Sequence, residues 1–194
     1  MKRMRRFAVA VVLATAIVVF GQTGVMAQQD QQEQLDSAIQ LFESGNTDEA
    51  GMLLQSLAGG PFAAMATAYL GRIHFRQKQW NEAESKLEQA LALEPGNANF
   101  HYWLGSSYLQ HVGEASVLRK RGLALKGRDN LLQAVNIDPG HLDARIALAE
   151  FYLGAPQIVG GGRDKGLKEI EAIIALDPVS GRQLEAKFRE NGKL

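Results

Sequence analysis

The chain has 194 residues, 21 Lys and Arg against 21 Asp and Glu, and no cysteine. Its length suits one compact domain or one short solenoid. Without cysteines a fold cannot lean on disulfides and must stand on packing, which the 46% hydrophobic content allows.

Residues 1–27 read as an export signal. Lys2, Arg3, Arg5 and Arg6 form a basic head, "FAVAVVLATAIVVF" (Phe7 to Phe20) an apolar core, and Val25 and Ala27 the small-residue cleavage pair. The core is 14 residues long, short of the roughly 20 that span a bilayer as a helix. Cleavage before Gln28 is the expectation. An uncleaved anchor, extended through Gly21 to Ala27, is the alternative. Loss of the segment leaves 17 basic residues against 21 acids, near −4, a balance that argues against nucleic acid as a partner.

"QQDQQE" (residues 28–33) reads as a flexible polar leader, and helical periodicity then runs over residues 34–194. In "LDSAIQLFESGNTDEAGMLLQSL", Gly45, Ala50, Leu54 and Leu57 mark a helix pair. The next unit carries Leu70-Gly71, His74, Ala83, Leu87, Ala90 and Pro95. A third has Leu104-Gly105, Tyr108, Gly127, Leu131, Ala134 and Pro139, and a fourth Leu148-Ala149, Tyr152, Gly166, Ile170, Ile173 and Pro178. Small residues let paired helices approach, larger ones fill the gap between them, and proline stops the second helix. The units fall at about 31–63, 64–97, 98–141 and 142–180, and "RQLEAKFRENG" repeats a first-helix spacing as a cap over 181–194.

This pattern resembles the tetratricopeptide repeat (TPR), L-G-x-x-Y on one helix and A-x-x-x-F with a terminal Pro on the next. Residues 64–97 fit its 34-residue period without a gap. The combination "FYLGAP…GGGRDKG" is also similar to a subset of exported bacterial TPR proteins. The resemblance implies an all-α solenoid of about four helix pairs plus a C-terminal capping helix. With the export signal of residues 1–27, the expectation is a periplasmic protein, or one anchored in the inner membrane if the signal is retained, with no membrane association after cleavage.

The prolines of the third and fourth units stand 44 and 39 residues after their predecessors, so these units carry insertions of ten and five. Both fall between the helices of a pair. The first predicts a second helix that starts early, near Glu114. The second, "APQIVGG", is a loop expected to lie against residues 114–121, with Ile158 and Val159 covered.

Chemistry is sparse. Gly161 and Gly166 have the spacing of a phosphate loop, but Leu167 and Lys168 follow where Lys and Ser or Thr are required. Anion binding at this helix start, along an edge with Arg119, Lys120, Arg121, Arg163 and Lys165, stays open as the alternative function, that of a small-molecule or anion-binding envelope protein. His74 and His101 occupy packing positions, His111 ends a helix, and His141 sits in a turn. They imply no metal, and nothing implies a cofactor. The acids of "NEAESKLEQ" read as a solvated face with a Glu82–Lys86 pair, and no nucleophile is set up for catalysis.

What remains is a surface. The resemblance places Tyr69, Arg72, Arg76, Asn99, Tyr102, Trp103, Ser106, Gln110, Asp143 and Glu150 at groove-lining positions of the first helices, with Trp103 divided between groove and core. Aromatics, Arg and amides make interface anchors. The implied function is a non-catalytic module or scaffold that binds a protein or peptide along that groove, with Arg72 and Arg76 free of any packing role.

Overall fold

The computed structural model describes residues 28–192, and among them every regular element is a helix. The chain divides within one helix, after Ala66, into two compact units.

The first unit holds helix α1 (residues 28–43) and helix α2 (Thr47–Leu57). Residues 28–33 are thus helical and not a leader. Their polarity is compatible with helix because i, i+4 pairs satisfy it: Gln34 donates to Asp30 at 3.2 Å and Gln32 to Asp36 at 2.9 Å. Leu35, Ala38 and Phe42 are buried at helical spacing along α1, and Ala50, Leu54 and Leu57 along α2. Gly45, at φ 92, ends α1: its N–H bonds the Phe42 carbonyl, and that of Asn46 bonds the Leu41 carbonyl.

Helix α3 (Ala63–Arg76) crosses the division. The second unit continues with α4 (Trp80–Leu93), α5 (Ala98–His111), α6 (Val117–Ile137), α7 (Leu142–Gly154), a 3-10 turn (Gln157–Val159), α8 (Arg163–Leu176) and α9 (Pro178–Glu190). Each helix from α4 onward packs on its neighbour in sequence, and α5 also meets α7. Two cores result. Leu131, Ala134, Leu148 and Phe151 centre one, and Ala149, Leu153, Ile170, Ile173, Leu184 and Phe188 form the other.

The small residues do what their spacing predicts. A Cβ on Gly105 would stand 2.9 Å from the Gly127 carbonyl, and one on Gly127 3.0 Å from the Gly105 carbonyl. Here α5 and α6 touch backbone to backbone. Two boundaries differ from expectation. The extended second helix begins at Val117, because Gly113, Glu114 and Ala115 form a turn closed on the Gln110 and His111 carbonyls. The terminal helix begins at Pro178, three residues before 181. Asp177 there serves as both the C-cap of α8 and the N-cap of α9, with Pro178 at the first helical position.

Among the described residues no helix is long and apolar enough to cross a membrane. Residues 1–27, expected from the sequence to be an export signal, lie outside them.

Candidate functional site: a groove lined by first helices

Phe75 of α3, Tyr102, Trp103, Ser106, Leu109 and Gln110 of α5, and Ala147, Glu150 and Phe151 of α7 line a groove of about 420 Å³. All three helices are first helices of their repeats, so residues spaced three and four apart on α5 face one side together. Of the residues expected there, Tyr102, Ser106, Gln110 and Glu150 share this lining, and Trp103 joins them, half-buried.

The floor is a chain of aromatic rings. Trp103 meets Phe75 edge-on at 5.5 Å and Tyr102 at 5.1 Å, and Phe75 meets Trp80 at 5.5 Å. Arg72 lays its guanidinium over Tyr69 at 4.4 Å and over Trp103 at 4.6 Å. Arg72 therefore has a packing role, against expectation: a planar cation between two rings holds them in place. Arg76 is exposed at the end of α3, and Asn99 is exposed in the first turn of α5; neither is in the groove lining.

Burial raises the pKa of the Tyr102 hydroxyl above its usual 10.0, and the Asp143 carboxylate adds to this; the hydrogen bond with Ser106 and the charge of Arg72 pull the other way. The hydroxyl is a neutral hydrogen-bonding group at physiological pH. Glu150 accepts from Lys187 of α9 at 2.8 Å, so the far wall carries an ion pair that repeat spacing did not signal. Phe75, Leu109, Ala147 and Phe151 were also missed. Phe75 and Leu109 stand 34 residues apart, one repeat period, each just before an expected groove position; Phe151 just follows one, and Ala147 lies three residues before Glu150.

The "NEAESKLEQ" face is not wholly solvated. Glu84 is buried and stands 2.7 Å from His111, because α5 packs over this side of α4. Tyr108 donates to Glu88, and burial first, then that bond, raises its pKa. No ion pair joins Glu82 to Lys86 among the described residues. The other histidines are likewise engaged locally. His74 pairs with Gln79 at 2.6 Å, His101 with Asn130 at 2.9 Å, and His141 accepts from the Ala144 amide.

The glycine run holds the loop together. The amides of Gly160, Gly161 and Gly162 donate to the carbonyls of Gln157, Pro156 and Tyr152 at 2.8, 3.2 and 2.8 Å, so none of the three faces an anion. A Cβ on Gly161 would lie 1.9 Å from the Ala155 carbonyl oxygen, and Gly160 adopts φ 97. Lys165 donates to the Gly160 carbonyl at 3.1 Å, while Arg119, Arg121 and Arg163 are exposed. Val159 is buried but Ile158 is 73% exposed. The expected cover reaches only one of the two, because the 3-10 turn points consecutive side chains to different sides.

The TPR repeat family matches residues 71–112, the stretch from the close-packed Gly71 to the end of α5. Over 114 residues, 58% of the chain, it is 31% identical to mouse Superkiller complex protein 3, of which it covers 7%. Over 120 residues, 61% of the chain, it is 30% identical to cellulose synthase operon protein C of Pseudomonas fluorescens, of which it covers 9%. The chain thus spans less than a tenth of the length of these curated relatives. A crystal structure of TTC0263, a thermophilic TPR protein of Thermus thermophilus, superposes with a TM-score of 0.68 at 21% identity, covering 84% of both chains. Residues 71–112 thus match the TPR repeat, and the fold of the described residues is all-α, of the TPR solenoid class. TPR repeats generally mediate protein–protein interaction.

Proposed function

We propose that this is an exported, non-catalytic interaction module or scaffold that binds a protein partner in the groove between α3, α5 and α7. The observation that carries the reading is the lining. An aromatic floor of Phe75, Trp103 and Tyr102 lies beneath the polar Ser106, Gln110 and Glu150. Large rings held by packing offer contact area at little entropic cost, and polar groups around them fix the register of a bound segment. Export rests on the basic head, the apolar core and the Val25/Ala27 pair of residues 1–27.

Gln110 is exposed, so Gln110→Trp and Gln110→Arg each block the groove without touching either core. In affinity capture from extracts of the native source, these variants are expected to lose the wild-type partner while melting at the wild-type temperature. Undiminished capture by both would place binding elsewhere. Arg72→Glu is a poor probe, because loss of its two ring contacts lowers stability as well.

A further inference from the structure

A second cavity, of about 660 Å³, shares only Leu109 and Phe151 with the lining of the groove. Its size falls within the roughly 300–1,000 Å³ of small-molecule sites. Its floor is Ala124 and Phe151, both buried, with Leu109 and Val112 beside them. Pro156, Ile158 and Val159 form one wall and Val117 the other, with Lys120 and Arg121 as its charged members.

Both walls are built by the two insertions that break the repeat period. Helix α6 has 21 residues where α4 and α8 have 14, and the added N-terminal turns bring Val117, Lys120 and Arg121. The five-residue insertion brings the 3-10 turn. That turn is fixed in place: Arg128 donates to the Val159 carbonyl at 3.1 Å, Lys165 to that of Gly160, and the glycine amides bond as described. With its polar backbone so occupied, the loop offers the cavity an apolar wall.

From this arrangement we infer that the cavity binds a single-chain anionic amphiphile, a long-chain carboxylate or its like, with the hydrocarbon inside and the head at Lys120 and Arg121. A peptide buried here would leave backbone N–H and C=O groups without partners, whereas a hydrocarbon chain has none to satisfy. Charge complementarity selects the head. Between Val112 and Arg128 the sequence holds one acid, Glu114, against five bases. Arg128 is engaged with Asp129 and the loop, but neither Lys120 nor Arg121 forms an ion pair among the described residues. Val117 and Ile158, 85% and 73% exposed, stand at the mouth as an apolar collar that a bound chain would cover.

The test titrates dodecanoate, below its micelle concentration, into the full chain by calorimetry, so that any background from Phe7 to Phe20 is common to every variant. The inference expects saturable binding of one dodecanoate per chain. It also expects affinity weaker by on the order of tenfold for dodecanol, and by a similar factor in the Lys120→Glu, Arg121→Glu double variant. Ile158→Asp, at an exposed position, is expected to abolish binding at an unchanged melting temperature. Absence of saturation, equal affinity for the alcohol, or binding indifferent to these variants overturns it. So does association with phosphatidylglycerol vesicles but not with the monomer, which would make this edge a membrane-facing surface.

Discussion

Lys78 is the one described non-glycine residue with positive φ, at 58°. It ends α3 as Gly45 ends α1: the Lys78 amide bonds the Phe75 carbonyl and that of Gln79 the His74 carbonyl. A left-handed conformation costs an L-residue roughly 1–2 kcal/mol, part of which glycine returns through the greater freedom of its unfolded chain. Lys78→Gly is therefore expected to stabilise the protein by about 0.5–1 kcal/mol in urea denaturation; a loss of stability would show that the lysine side chain outweighs the strain. The sequence carried no sign of this. It repeated Gly45 in only one of two equivalent turns, and a helix end of this type is set by backbone bonds that lysine also makes. The "GGG" run was the opposite case. Its glycines were visible as a departure from the repeat, but their reason lies 1.9 Å from Gly161, in the Ala155 carbonyl, which no local pattern reports. Ile158 was misjudged for a related reason, since hydrophobicity predicts burial only once the direction of a side chain is known.

Helices were the most legible level. Period marked the helix pairs, and proline placement three of them, because a TPR helix is defined by which positions must be small and which large, and both are written in residue size. Boundaries followed capping chemistry more closely than period. Asp177 accepts from the amides of Val179 and Ser180 at 3.0 and 3.2 Å and from the Ser180 hydroxyl at 2.6 Å. The bond from the Ser180 hydroxyl, then the backbone bonds, lower its pKa below the ordinary 3.8. A carboxyl whose pKa falls on folding contributes stability that is present above the unfolded value and lost as pH falls through the folded one. Asp177→Ala should therefore lower the melting temperature at pH 7, and the gap to wild type should narrow once the pH drops below 3.8. A gap of constant size down to pH 2 would mean that the ionised carboxylate adds nothing to the cap. The effect belongs to α9, whose Leu184 and Phe188 close the core around Ile170 and Ile173.

At the scale of the whole molecule, regular repeats position the groove and the departures from regularity build the second cavity. The groove was legible in part because first-helix positions recur: Tyr102, Ser106, Gln110 and Glu150 fell where the repeat would put them. The contribution of α9 was not, since Lys187 reaches Glu150 across 37 residues of sequence. Nor was the packing role of Arg72, which depends on rings from two helices. The central claim is that the groove between α3, α5 and α7 receives a protein partner. Site-specific photo-crosslinking tests it most directly, with the reactive group placed at Gln110 in the groove and, in a parallel protein, at the exposed Gln133 of α6, outside the groove lining. The account predicts a discrete adduct to one partner from Gln110 and none from Gln133. An adduct from Gln133 with none from Gln110 would contradict it.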